Sequence, residues 1–413
     1  MGLFGGSSSN HTCPSITTGP QYGADHVLGS FTFHDLTTVL CAAFAGATFM
    51  VAGISLLLHA THFSNPAEQV KILRIIAIVP AFTFVYFLAG TIPSAAIYLQ
   101  PWSDFYEAIA LASYFVLLVT YLVPTPEHRY AYFDRLRHKS GGSSLAWYRR
   151  TWVFVFQYIV FSFIVAAATD ITQAVGVFCD NGKGVHFAHT WLTVIRSISV
   201  ALAFIRLLGF YQRTKSELTE HHVLSKLVAI KGIVFLTFIQ SIIFTILKST
   251  SAVKPSSKLS YNDIYYGIPS VLICGEMILF ALFQFYAYSA RPYFIRNKTS
   301  AAESLPIQNM RYYGGFLGIK ALLAALNPLE ILGGLIQAVG YLVSNPSAQR
   351  YDTARALEPL RYGQASGSTN MPPPYASTNA KYQGPTAPER AQSPSDVEHG
   401  TVDEYTPLPR SQF

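Results

Sequence analysis

Apolar residues along this chain come in long unbroken runs, and polar residues cluster between them. Seven runs approach or exceed the ~20 residues that carry a helix across a bilayer. They cover roughly 36–60, 72–98, 102–123, 151–177, 189–211, 227–247 and 263–289. Each backbone amide in lipid must be satisfied within its own segment, so the runs predict helices. Pro80 and Pro93 fall inside the second run and predict a kink there, or carbonyls exposed to neighbouring helices. The third run starts just after Pro101-Trp102.

A further apolar stretch, 314–343, is split by Asn327-Pro328. After the proline, Leu329, Ile331, Leu332, Leu335, Ile336, Val339 and Leu342 form one helical stripe. Glu330, Gly333, Gly334, Gln337 and Tyr341 form the other. This predicts an amphipathic helix on the inner leaflet or against the bundle. The alternative is an eighth span.

Composition agrees with this pattern. The chain is 51% hydrophobic and only 12% charged, against roughly 25% charged in soluble domains. The expected fold class is an all-α, seven-helix membrane bundle. The expected organisation is an outer arm (1–35), the bundle (36–290), a juxtamembrane basic and amphipathic segment (291–343) and a disordered tail (344–413).

Charge sets the expected orientation. Residues 1–70 contain no Lys or Arg. With the N-terminus outside, thirteen basic residues flank the inner ends of the runs and four the outer. The positive-inside rule then places the N-terminus in the extracellular space or an organelle lumen and the C-terminus in the cytosol. The net charge of +7 reflects this clustering beside membrane segments and does not point to nucleic acid. Residues 1–30 lack the basic and apolar regions of a cleavable signal peptide. "MGLFGG" carries Gly6 where a myristoylation motif needs Ser or Thr.

On the outer side, Asn10-His11-Thr12 is a glycosylation sequon. Asn297-Lys298-Thr299 also fits, but on the inner side, where it is expected to be silent. Cys13 and Cys179 both fall outside, and two readings stand open: a disulfide tying the arm over the bundle, or two free thiols. Cys41 and Cys274 lie within runs and are expected to behave as small hydrophobes.

Ionisable groups inside spans are the first candidates for function. Asp104 and Glu107 share a helical face by their i, i+3 spacing. Asp170 and Arg196 lie at similar depth and are candidates to pair. Arg206 and Lys231 occupy the inner parts of the fifth and sixth runs, and Glu276 the middle of the seventh. Gln240 and Gln284 add neutral polar groups. Three readings of Glu276 stand open: a packing partner, part of a solute path beside Lys231 and Arg206, or a proton carrier. No enzyme, cofactor or metal is expected. Ser55 and His59 have the spacing of seven-helix zinc hydrolases, but the seventh run, "FALFQFYAYS", supplies no histidine to complete a ligand set. "EHRY" after the third run does not match the acidic-Arg-Tyr triplet of G-protein-coupled receptors, and no NPxxY stretch occurs in the seventh.

Four segments in order carry a resemblance: "RIIAIVP" (Arg74–Pro80), "DFYEAIALASYFVLLVTYL" (Asp104–Leu122), "LVAIKGIVFLTFIQ" (Leu227–Gln240) and "ICGEMILFALFQFYAY" (Ile273–Tyr288). Together they resemble the organic solute transporter alpha family, which includes the transmembrane protein 184 group and fungal relatives, over about residues 35–295. The resemblance is to a fungal-type member. It implies seven helices and carries the family pattern onto Arg74, Pro80, Tyr106, Glu107, Lys231, Gln240 and Glu276. It also implies facilitated diffusion of steroid-like or other amphipathic anions, with a single-span beta-type subunit as a partner. For other members it implies vacuolar or endosomal membranes and binding of the ubiquitin-like autophagy modifier; the plasma membrane is the second location. Two positions depart from the pattern. Ile239 stands where a Trp is common, and Phe285 or Tyr286 where a His is common.

From Ser344 on, the chain holds ten of its 23 prolines and no Ile or Trp, which predicts disorder. "PPPY" (Pro372, Pro373, Pro374, Tyr375) fits a ligand of WW domains, and so of a WW-domain ubiquitin ligase. "VDEYTPL" places Asp403 and Glu404 before Tyr405 and Leu408, the pattern of a strand-adding peptide for the autophagy modifier. Membrane lipid and a second copy of the chain complete the expected partners.

Overall fold

The computed structural model describes residues 23, 25–136, 144–179, 186–219, 222–250, 255–295 and 311–343. Asn10, Cys13, Pro372, Pro373, Tyr375, Asp403, Glu404, Tyr405 and Leu408 lie outside the described residues. So does Asn297.

The fold is an all-α, multi-pass membrane bundle. Eight helical stretches among the described residues are long and apolar enough to cross a bilayer. A two-strand hairpin, β1 (His26–Leu28) and β2 (Phe31–Thr32), leads into α1 (Phe33–Thr61). A capping box starts α1: Thr32 Oγ1 accepts from the Asp35 amide, and Asp35 Oδ2 accepts from the Thr32 amide at 3.0 Å.

The second expected span is two helices, α2 (Pro66–Ile76) and α3 (Ile78–Thr91). The break at Ala77 lies opposite Pro80, which has no amide for the Ile76 carbonyl four residues back. Pro93 does not kink this span. It stops it: a 3₁₀ turn over Pro93–Ala95 follows. The next helix, α4 (Ala96–Leu122), therefore starts before the expected boundary and contains Pro101 near its beginning.

After the short α5 (Arg129–Arg135) come α6 (Ser144–Ala174), α7 (Ala188–Thr214) and α8 (Val223–Thr250). A π-helical turn, Asp263–Gly267, opens α9 (Ile268–Ala287). Here Ser260 and Asp263 form a second reciprocal cap, since Ser260 N donates to Asp263 Oδ2 at 2.8 Å and Asp263 N donates to Ser260 Oγ at 3.1 Å.

The core sits on α4. Its residues Ala110 to Leu118 are buried, and it packs against α2, α3 and α6. α1, α3 and α9 pack on one another. α7 packs mainly on α6, and α8 on α9. Among the described residues α8 touches α4 only lightly, and α7 and α8 are not packed along one another. The two helices therefore reach α4 and each other mainly through side chains.

The eighth stretch is split at Asn327-Pro328 into α10 (Ile319–Leu326) and α11 (Leu329–Val343). At 1.5 Å per residue they are about 12 and 22 Å long, each shorter than the ~30 Å hydrocarbon core. α10 lies on α2 and α1, and α11 lies on α6. The expected amphipathic face is inverted from that of a soluble helix. Gly334 and Ala338 face the bundle, whereas Leu332, Ile336, Val339 and Leu342 are exposed, as a lipid-facing surface would be. Gly334 makes the close seat possible: a Cβ there would lie 2.2 Å from Phe156 Cε1.

Cys41 and Cys274 are buried free thiols, as expected of small hydrophobes. Cys179 is disulfide-bonded.

Candidate functional site

α4 presents a descending row of polar groups to its neighbours. Near its start, Trp102 Nε1 donates to Asp170 Oδ2 on α6 at 3.0 Å. Asp104 pairs with Arg196 of α7. One turn deeper, Glu107 Oε1 lies 2.5 Å from Lys231 Nζ of α8. Tyr158 of α6 donates to the other Glu107 oxygen at 3.2 Å. Glu107 is 1% exposed. The Phe204 ring of α7 lies under the Lys231 ammonium, 5.2 Å from its centroid. The expected common face of Asp104 and Glu107 is thus real, and its two carboxylates hold one cation from α7 and one from α8.

Two expected pairings are corrected. Asp170 does not meet Arg196. The α6–α7 register is set by contacts of Gln157 with Ser199, Phe154 with Arg206 and Trp147 with Arg213. That register puts Arg196 opposite about residue 162, some eight residues or ~12 Å along α6 from Asp170. Glu276 likewise does not meet Lys231 or Arg206. Across α8 and α9, Gln284 Nε2 donates to Ala229 O at 3.3 Å and Tyr288 OH to Lys226 O at 3.0 Å. This register brings Gln240 to Glu276, and the amide donates to the carboxylate. Lys231 sits about seven residues further along and turns to α4. Arg206 lies over the Phe154 ring, 4.6 Å from its centroid, away from both clusters.

The family-motif residue Arg74 acts at the edge of the bundle. Its guanidinium donates to Ala325 O at 2.8 Å and Asn327 O at 2.9 Å, and to Glu330 Oε2 at 2.6 Å. It thereby caps the last carbonyls of α10, where a cation also meets the negative helix end. Lys71 pairs with the other Glu330 oxygen at 2.5 Å. Tyr106 OH donates to the Arg74 carbonyl at 3.2 Å, tying α4 to this clasp. On the far side Trp152 Nε1 donates to Gly334 O at 2.9 Å.

Sequence reading missed Tyr158, Trp102, Phe204 and Lys71 as partners. A Tyr or Trp in an apolar run carries no signal of its own, because its hydroxyl or indole N–H finds a use only once the neighbouring helix is placed. Among the described residues, no group of three or more His, Cys, Asp or Glu side chains could hold a metal ion. His59, weighed as a ligand, instead contacts the Tyr288 carbonyl through Nε2 at 2.8 Å.

This bundle and its polar row belong to a multi-pass membrane protein of a solute-transporter type. The sequence profile described as organic solute transporter Ostalpha matches residues 37–293, and the chain belongs to that family. It is similar to a transmembrane protein 184 homolog of Dictyostelium discoideum, 27% identical over 272 residues, covering 62% of this chain and 53% of the relative. It is also similar to the protein LAZ1 of Arabidopsis thaliana, 25% identical over 284 residues, covering 61% of this chain and 58% of the relative. The chain thus spans little more than half the length of these relatives. No solved structure matches it significantly.

Proposed function

We propose that this protein carries amphipathic organic or steroid-like anions across its membrane by facilitated diffusion, along the seam where α7 and α8 meet α4. The observation that supports this most is the pairing of Arg196 and Lys231 with Asp104 and Glu107. α7 and α8 each bring one cation to α4, and each cation is held by a carboxylate whose place an incoming anion can share or take. The cations stay neutralised during the exchange, and Tyr158 still donates to Glu107 while its cation is engaged by the solute, which offsets part of the cost of releasing that carboxylate. The apolar body of the solute lies along the apolar side chains of α7 and α8. Glu276 and Gln240, joined to each other, serve packing of α8 on α9 in this reading.

The N-terminus faces the lumen or exterior and the membrane is vacuolar or endosomal, with a single-span beta-type subunit as a candidate partner. Liposomes holding the purified protein test the reading. Uptake of a fluorescent steroid sulfate should saturate and be inhibited by other amphipathic anions, but not by the neutral parent steroid. Uptake no faster than in protein-free liposomes, with and without a beta-type subunit, would refute it.

The tail supports a second, compatible role as a membrane anchor. "PPPY" and "VDEYTPL" fit a WW-domain ubiquitin ligase and the ubiquitin-like autophagy modifier. Pull-down of the modifier should fail with Tyr405→Ala plus Leu408→Ala; unchanged binding removes that motif from the account.

A further inference from the structure

Three arginines at the basic end of α6 and α7 take no part in the α4 row of ion pairs. Arg206 and Arg213 stand two turns apart on α7. Each lies over an aromatic ring of α6: Arg206 over Phe154 at 4.6 Å and Arg213 over Trp147 at 4.4 Å from the ring centroids. Arg150 is exposed and falls between those two rings on the same face of α6, three residues after Trp147 and four before Phe154. No carboxylate among the described residues pairs with any of the three. The ring faces orient the guanidiniums and leave their N–H edges open. Beyond them, away from the basic end, the same two helices expose Phe161, Ile164, Ile198, Leu202 and Ile205.

We infer that this strip is a binding site for an anionic phospholipid of the leaflet at the basic end. Arg206 lies eight residues, about 12 Å, from the end of α7. A cation at that depth needs a counter-charge or a route to one. The anion that the bilayer itself supplies there is the lipid phosphate. A guanidinium recognises phosphate with two parallel donors, and two or three in a row hold one headgroup more firmly than a scattered basic surface does. The five exposed apolar side chains provide the surface on which that lipid's acyl chains lie. A soluble phosphate would gain nothing from them, which is why the occupant is a lipid.

The test uses the full chain in nanodiscs made from an equimolar mixture of phosphatidylserine and phosphatidylcholine. Lipids retained after transfer to mild detergent are then counted by native mass spectrometry. The wild type should retain phosphatidylserine in clear excess. Each arginine contributes about a fivefold preference. Arg150→Gln/Arg206→Gln/Arg213→Gln should therefore abolish the excess, while Arg135→Gln/Lys215→Gln, at the same end, should keep it. Arg213→Gln alone, in the last turn of α7, gives a mild variant if the triple one does not fold, and should lose about fivefold. Millimolar glycerol phosphate should not displace the bound lipid. No excess in the wild type, an excess that survives the arginine changes, or displacement by glycerol phosphate would each overturn the inference.

Discussion

The Lys231 ammonium of α8 lies 2.5 Å from the Glu107 carboxylate of α4, and this contact joins α8 to the buried centre of the bundle. Tyr158 holds the second carboxylate oxygen, so Glu107 has a partner for each. The pair is both a packing element and the feature to which transport is assigned here, and the two roles make different predictions.

Breaking one side of the pair should destabilise the protein. Lys231→Ala leaves a buried carboxylate without its cation, which costs about 3–5 kcal/mol. Replacing both, as Glu107→Gln with Lys231→Met, removes the charge from each side and should recover most of that loss. Thermal melts of the three proteins in one detergent measure both effects.

Glu276 should tolerate neutralisation. Glu276→Gln keeps an acceptor for the Gln240 amide and removes a charge from the α8–α9 contact, so it should melt no lower than wild type. Glu276→Leu strands that amide and should cost about 1–3 kcal/mol. A lower melting temperature for Glu276→Gln than for Glu276→Leu would contradict the pairing seen here.

Arg74 should control the docking of α10. It serves three backbone carbonyls and one carboxylate at once, a geometry that the lysine point charge cannot reproduce. Both Arg74→Ala and Arg74→Lys should therefore raise amide hydrogen exchange over Ile319–Leu326. Glu330→Gln leaves the carbonyl caps in place and should raise it less.

Gly334 should be intolerant of any side chain. A Cβ there meets the Phe156 ring at 2.2 Å, backed by the stack of Phe156 on Trp152 at 4.9 Å. Gly334→Leu should lift α11 from α6 and break the bond from Trp152 to its carbonyl. A shift of indole emission toward the wavelength of a less constrained environment measures this, with Gly333→Leu, whose Cβ would have nothing within 4 Å, as the silent control.

Much of the fold was legible because lipid allows so few solutions. A long apolar run must be a helix, so the seven runs, the break before Pro80 and the split at Asn327-Pro328 could be read directly. The Pro93 turn and the early start of α4 were misplaced because a proline marks an interruption without saying whether it kinks or ends the helix. Pairing was far less legible. Asp104 and Glu107 could be put on one face from spacing alone, since that is a property of one helix. Which cation each would meet depends on the register between helices, and depth estimated from span ends is uncertain by a turn or two. An error of that size moved Arg196 from Asp170 to Asp104 and Glu276 from Lys231 to Gln240. Arg74 was marked by the family resemblance, but its partners lie about 250 residues away in the chain, and no local pattern reveals them.

The most direct test of the transport reading is anion flux into liposomes with Arg196 and Lys231 altered under conditions that preserve folding. Lys231→Met is paired with Glu107→Gln, and Arg196→Met with Asp104→Asn, so that no buried carboxylate is left alone. Each loss of a charge-assisted contact to the solute should slow saturable uptake of a steroid sulfate by roughly tenfold or more, with Glu276→Gln transporting at the wild-type rate. Folded double variants that transport at the wild-type rate would show that the α4 row only packs the bundle.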